Sequence, residues 1–180
     1  NLDSITTIFD VANKMTPYAL REKRTKVLEG AILGNLFFEP STRTRVSFGC
    51  AFNLLGGHVR ETTGMASSSL SKGESLYDTA RVLSTYSDVI AMRHPDAYSV
   101  KEFAEGSRVP VINGGDGPNE HPTQALLDAF TIKQHLRPDS KDLSGIKVLI
   151  VGDILHSRVA LSNIYALKML GAEVRLCAPK

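Results

Sequence analysis

Short apolar runs of strand length alternate with segments of helical period along the chain, and this alternation limits the fold more than any other feature. AILGNLFF (31–38) is continuously apolar, as a strand buried on both faces of a parallel sheet must be. DVIAMRH (88–94), VPVING (109–114), KVLIVGD (147–153) and EVRLCAP (173–179) also read as strands, and 58–62 as a shorter one. Between them lie helical spacings. Ile5, Ile8, Ala12 and Met15 mark a first helix with Ser4 as its cap. A second is expected over 42–55, ended by Gly56-Gly57, and a third has Leu76, Ala80, Leu83 and Ser87 on one face. SVKEFAEG (99–106) is a short helix, and Ala125, Ala129, Ile132 and Leu136 mark a long one starting near Pro122. The last runs from Ser157 to Leu170 and stops at Gly171. Such an order predicts an α/β fold, a parallel sheet flanked by helices. RPDSKDLSG (137–145) is the best linker, so one domain is expected over 1–137 and the beginning of a second, incomplete α/β domain over 145–180.

Composition narrows the class of function. Twenty-one Lys and Arg against 19 Asp and Glu leave a net charge of +2, with 42% hydrophobic residues among 180. Disorder, collagen and a supercharged nucleic-acid binder are excluded. Cys50 and Cys177 fit no CxxC spacing, which points to a reducing, cytoplasmic setting, and Cys50 reads as helix packing. No apolar run reaches the length of a membrane span, and the acidic start NLDSITTIFD is unlike a signal peptide. Position 1 is Asn, and the final AEVRLCAPK stops on strand-like sequence, so a piece of a longer chain is expected.

Four stretches carry chemistry. Glu39-Pro40-Ser41-Thr42-Arg43-Thr44-Arg45 joins the first strand to a helix start, where free N–H groups and the dipole attract anions. Three hydroxyls and two guanidiniums there exceed the needs of a cap and favour a phosphate site. Arg93 and His94 close the strand DVIAMRH on the same sheet edge; alone, Arg93 would be an exposed strand end. The run Gly114-Gly115-Asp116-Gly117-Pro118-Asn119-Glu120-His121-Pro122-Thr123-Gln124 reads as a glycine-rich turn before a helix with Pro122 in its first turn. His121 and Gln124, three apart, can polarise a carbonyl oxygen; the bland alternative is a capping His and a solvent-facing Gln. The loop Ser67–Glu74 is either a plain surface loop or a lid bringing Lys72 over an anion. There is no P-loop, no GxGxxG and no zinc spacing among the five histidines.

Ser41-Thr42-Arg43-Thr44-Arg45 and His121-Pro122-Thr123-Gln124 resemble the SxRTR and HPxQ signatures of the carbamoyltransferases. The longer strings FFEPSTRTRVSF, SLSKGES, MRHP, GDGPNEHPTQALLD and VGDILHSRVA are similar to the catalytic chains of aspartate carbamoyltransferases, and the resemblance covers nearly the whole chain. It implies a carbamoyl-phosphate domain followed by the start of an aspartate domain, and carbamoyl transfer to the amine of L-aspartate on the route to pyrimidines. It implies that Ser41, Thr42, Arg43 and Thr44 hold the phosphate, that Arg93 bridges phosphate and carbonyl oxygens, and that His121 and Gln124 engage the carbamoyl group. Arg93, His121, Thr44 and Lys72 would be catalytic. Lys72, from a neighbouring subunit of a homotrimer with shared sites, and Arg158 would bind aspartate, while Glu39 is linked to domain closure. The family needs no metal or other cofactor and no covalent intermediate, and can associate with regulatory chains; no nucleic acid or membrane partner is implied. Gly49-Cys50 stands where an acidic residue is common, and Leu161 where arginine is common. The remaining alternatives are another amine acceptor such as ornithine, a carbamoyl-phosphate-binding module without turnover, and, more weakly, a dinucleotide-binding domain.

Overall fold

The computed structural model describes residues 1–63 and 73–179; Lys72 and the rest of 64–72 lie outside the described residues. The elements are α1 (Leu2–Ala19), β1 (Ile32–Phe37), α2 (Thr42–Leu54), β2 (His58–Thr63), α3 (Leu76–Leu83), β3 (Val89–His94), α4 (Ser99–Gly106), β4 (Val111–Asp116), α5 (Pro122–Leu136), β5 (Lys147–Val151), α6 (Arg158–Met169) and β6 (Glu173–Cys177). The chain divides into two compact units, Thr16–Gly117 and Asn1–Met15 with Pro118–Lys180.

The unit Thr16–Gly117 is a four-stranded parallel sheet in the order β2-β1-β3-β4. Side chains alternate across it. Leu36, Ile90 and Met92 face α3 and α4, packing with Ala80, Val100 and the fully buried Phe103. Leu33 and Ala91 face α2, where Phe48 and Phe52 cover them. A sheet covered on both faces needs apolar central strands, which is why β1 and β3 are nearly unbroken hydrophobic runs. From β1 the chain winds first to β2 on one side and later to β3 on the other. The gap between the carboxyl ends of β1 and β3 is therefore the topological switch point, where open parallel sheets bind ligands.

The unit Asn1–Met15 with Pro118–Lys180 holds a parallel pair, β5-β6, beside α5 and α6. Its core joins Ile5 and Phe9 to Ala129, Leu143, Leu167, Leu170 and Ala172, and the rings of Phe9 and Phe130 stand 5.3 Å apart. Leu143 is fully buried although it lies in the stretch expected to be a linker. Among the described residues no helix is long and apolar enough to cross a membrane.

Several local expectations need correction. The first helix is capped by Asn1, whose Oδ1 accepts the Ser4 N–H at 2.9 Å, so Ser4 lies inside the helix. The helix after Ser75 ends at Leu83, and a 3-10 turn over Ser84–Tyr86 separates it from Ser87. Cys50 is exposed and does not pack. Gly114, Gly115 and Asp116 form the end of β4 and not a turn. Glycine is needed at 114 for close approach, since a Cβ there would lie 3.2 Å from the Met92 carbonyl oxygen on β3. The turn begins at Gly117, whose φ is +57° and whose N–H reaches the His94 carbonyl at 2.8 Å. A Cβ on Gly117 would collide with the Pro95 carbonyl and stand 2.8 Å from Ala97 N. Gly117→Ala should therefore lower the stability of the protein by about 2–4 kcal/mol, combining left-handed backbone strain with overpacking, measured by denaturant unfolding.

Candidate active site

The carboxyl edge of the four-stranded sheet collects the polar residues that the strand interiors cannot hold. β1 runs out at Phe37, and Phe38-Glu39-Pro40-Ser41 turns into α2. Ser41 is the N-cap residue, extended at φ −158° and ψ 102°, and its hydroxyl makes no capping bond. The first turn of α2 holds no acidic residue. Its positive end is thus left for an anion rather than satisfied by its own side chains. A cleft of about 350 Å³ opens there, lined by Phe37, Phe38, Glu39, Pro40, Ser41, Thr42, Arg45 and Thr63. Ser41 and Thr42 thus line the cleft, but the arginine that does so is Arg45, while Arg43 is exposed.

Arg93, the last residue but one of β3, lies in register with Phe37. It is not an exposed strand end: its side chain is only 12% exposed, and Nε at 3.1 Å and Nη2 at 2.5 Å both donate to Glu39 Oε1. This pair spans the β1/β3 switch point and ties two of the residues singled out in the sequence. The neighbouring His94 is buried and packs edge-on to Phe38, with ring centroids 5.7 Å apart. His94 Nδ1 accepts the Asp96 N–H at 3.1 Å, which assigns the ring proton to Nε2. Asp116 at the end of β4 accepts from Tyr98 N–H at 3.0 Å and Asn113 Nδ2 at 3.1 Å, closing the loop that follows β3.

Under α2 lies a polar cluster with no sequence signal. Asn35 is fully buried in β1, opposite Glu61 on β2. Its Nδ2 donates to the Arg45 carbonyl at 3.1 Å and to Glu61 Oε1 at 2.8 Å, and Arg45 Nη1 reaches Glu61 Oε2 at 3.2 Å.

In the second unit His121 is buried at the start of α5 and makes no side-chain cap bond. Its N–H donates to Ser162 Oγ on α6 at 2.9 Å. Gln124 Nε2 donates to Asp128 Oδ1 at 2.9 Å, and Asn163 Nδ2 from α6 donates to the other Asp128 oxygen at 2.8 Å. The histidine does occupy the N-cap position, but its ring is buried and makes no capping bond, and the glutamine amide is held rather than free in solvent. Arg158 is the first residue of α6, after Ser157, whose hydroxyl accepts the Ala160 N–H at 3.2 Å. Asp153, just before, is held below the usual carboxylate range by hydrogen bonds from the His156 side chain and N–H. Among the described residues no three His, Cys, Asp or Glu side chains form a metal-binding group.

Comparison with known proteins adds a family. The description "Aspartate/ornithine carbamoyltransferase, carbamoyl-P binding domain" matches residues 1–134. The aspartate carbamoyltransferase catalytic subunit of Cellvibrio japonicus is 65% identical over 182 residues, covering 99% of this chain and 53% of that protein. Its counterpart in Saccharophagus degradans is 70% identical over 155 residues, 86% of this chain and 46% of that protein. The chain spans about half the length of the curated relatives it matches. Among solved structures, the catalytic subunit of M. jannaschii aspartate transcarbamoylase superposes with a TM-score of 0.88 at 45% identity, over 99% of this chain and 57% of that one. Aspartate transcarbamoylase from Trypanosoma cruzi in complex with aspartate and phosphate gives 0.89 at 36%, again over 99% and 57%.

Burial pushes the His94 imidazole below its ordinary 6.5, although Asp96, Glu102 and Glu39 pull it upward. The folded state therefore binds a proton less readily than the unfolded chain. The stability contributed by the neutral ring is complete above 6.5 and lost as pH falls through and below that value. The melting temperature should drop as the pH is lowered from about 7.5 to about 5.5. His94→Asn, which keeps an acceptor without titrating, should flatten that part of the curve; scanning calorimetry across the range checks it.

Proposed function

The chain belongs to the aspartate/ornithine carbamoyltransferase family, and from that premise we propose that it is the carbamoyl-phosphate half of an aspartate carbamoyltransferase, cytoplasmic and acting in pyrimidine synthesis. The single observation that carries the reading is the helix start at Ser41, uncapped by its own side chain and free of acid, beside the Arg93–Glu39 pair at the switch point. The division into a domain over 1–137 and the beginning of an aspartate domain over 145–180 is part of the same proposal. So are a homotrimer with shared sites and association with regulatory chains.

In this reading Ser41, Thr42, Arg43 and Thr44 hold the phosphate of carbamoyl phosphate. The dipole and free N–H groups of α2 stabilise the departing dianion. The amine of L-aspartate attacks the carbonyl carbon. Negative charge grows on the carbonyl oxygen, where Arg93, His121 and Thr44 act as donors, and Gln124 orients the carbamoyl amide. The C–N bond forms, the C–O bond to phosphate breaks, and the amine proton leaves with the phosphate. Arg158 and Lys72 recognise the carboxylates of aspartate. Glu39 competes with the substrate for Arg93, which makes it suited to report occupancy by releasing or sharing that guanidinium.

Donors aimed at developing charge act on turnover more than on ground-state binding. In the full-length protein Arg93→Ala and His121→Ala should each lower kcat about a hundredfold or more, with a smaller change in carbamoyl phosphate binding, read by steady-state kinetics and calorimetry. Turnover left intact beside weakened binding would contradict these roles.

Shared sites predict complementation. Full-length Lys72→Ala and Arg43→Ala chains, each inactive, should regain activity when denatured together and refolded, because some sites then draw both residues from unmutated positions on different chains. Mixed trimers as inactive as their parents would confine Lys72 to its own subunit or to no role at all.

A further inference from the structure

Arg45, the arginine that lines the cleft at the start of α2, has its guanidinium held from a different element. Arg45 lies in the first turn of α2, and the carboxylate that meets it comes from Glu61 on β2. The two are joined by Asn35, which is fully buried on β1 and directly opposite Glu61 in the strand register. One amide nitrogen, Asn35 Nδ2, serves both the main-chain carbonyl of Arg45, at 3.1 Å, and Glu61 Oε1, at 2.8 Å. Glu61 presents its second oxygen to Arg45 Nη1 at 3.2 Å. Backbone and side chain of the same arginine are thereby gripped by one strand pair. Reversing the Asn35 amide would face its oxygen toward two acceptors, so the network admits one orientation.

Gly49, buried in α2 four residues after Arg45, faces this cluster. A Cβ there would lie 3.5 Å from Glu61 Oε1 and 3.7 Å from Asn35 Nδ2. Position 49 shares a helix face with Arg45, and a carboxylate there could pair with it within the helix. Glycine supplies none, and Glu61 reaches into the space beside it.

We infer that Glu61, locked by Asn35, is a positioning residue for the anion site. It fixes Arg45 and the first turn of α2 in the geometry that receives phosphate, and its carboxylate takes the place of one that Gly49 does not provide. The inference rests on the phosphate role proposed above for the start of α2.

The sign of the effect separates positioning from simple charge. Deleting a carboxylate near an anion site should tighten anion binding if only the field matters. Loss of a positioning contact should weaken it. The test is calorimetric titration of the full-length protein with inorganic phosphate, alongside thermal melts, for wild type, Glu61→Gln, Glu61→Ala and the double variant Gly49→Glu/Glu61→Ala. Glu61→Gln should raise Kd about threefold to tenfold, the scale of one ordinary net hydrogen bond. The double variant, with the carboxylate moved onto α2, should return to within about twofold of wild type. A folded Glu61→Gln protein that binds phosphate as tightly as wild type, or more tightly, overturns the inference. So does a folded double variant that binds phosphate more than about threefold more weakly than wild type, which keeps the question decided even if the single variants melt early. A wild-type protein that does not bind phosphate overturns instead the phosphate role itself, a result distinct from either.

Discussion

The central strand β1 has hydrogen-bonded neighbours on both edges and helices over both faces, so a charge along its length would have to be buried. An unpaired buried charge costs several kcal/mol, on the order of an entire domain's margin of stability. Charged groups are therefore pushed past its carboxyl end, where the chain first meets water. Glu39 stands two residues beyond β1, and Arg93, next to last in β3, pairs with it. Their pairing follows from burial: with only 12% of the Arg93 side chain exposed, a carboxylate must stand close to it. The switch point supplies the space, and the restriction on β1 determines what fills it.

Sites of this kind are partly legible in a sequence, for a physical reason. The donor-rich string 41–45 is consecutive, because a helix start offers consecutive N–H groups, and consecutive residues leave a visible motif. The strands were legible for a similar reason, since burial on both faces demands unbroken apolar runs such as 31–38. Asn35 sits inside that very run, where a lone polar residue carries no periodic signal. Its partner Glu61 is set by register between β1 and β2, a relation the linear sequence does not contain. Ser162, Asn163 and Asp128 are likewise single polar residues within helical spacings, and only the approach of α6 to α5 makes them a network. The misreading of Gly114–Asp116 has a comparable origin. Glycine marks both sharp turns and close strand approach, and here the approach of β4 to β3 uses it.

The same reasoning explains why His121 could not be judged from its neighbours in sequence. A histidine before Pro122 at a helix start fits a cap, and the structure does place it at the N-cap position. Its burial, and the bond from its N–H to Ser162 on α6, make it part of a packed joint between two helices. Arg158 opens α6, and Ser162 follows it by about one helical turn on the same rigid element. On the proposed reading, a group that engages the aspartate side of α6 is therefore mechanically continuous with one that holds the carbamoyl-side histidine. No loop intervenes to absorb a displacement of the helix between those two points.

Arg93 and Arg45 show two ways of storing positive charge beside the proposed anion site. Arg93 places two of its five N–H donors, one on Nε and one on Nη2, on a single oxygen of Glu39, so an incoming phosphate meets a cation already paired with a carboxylate. Arg45 meets Glu61 through one nitrogen only, and its remaining donors are not claimed by that carboxylate. The first arrangement makes engagement of the arginine conditional on what else occupies the edge, because a ligand shifts such an equilibrium only by its differential affinity. The second fixes direction without consuming donors. On the proposed reading, a site that receives carbamoyl phosphate can use both properties. One cation is already aimed, so that binding costs little ordering, and the other can exchange its carboxylate for a ligand oxygen. Placing the conditional pair at the buried switch point and the fixed one at the more open helix start follows burial. The more deeply a cation is buried, the less it can be left without its carboxylate.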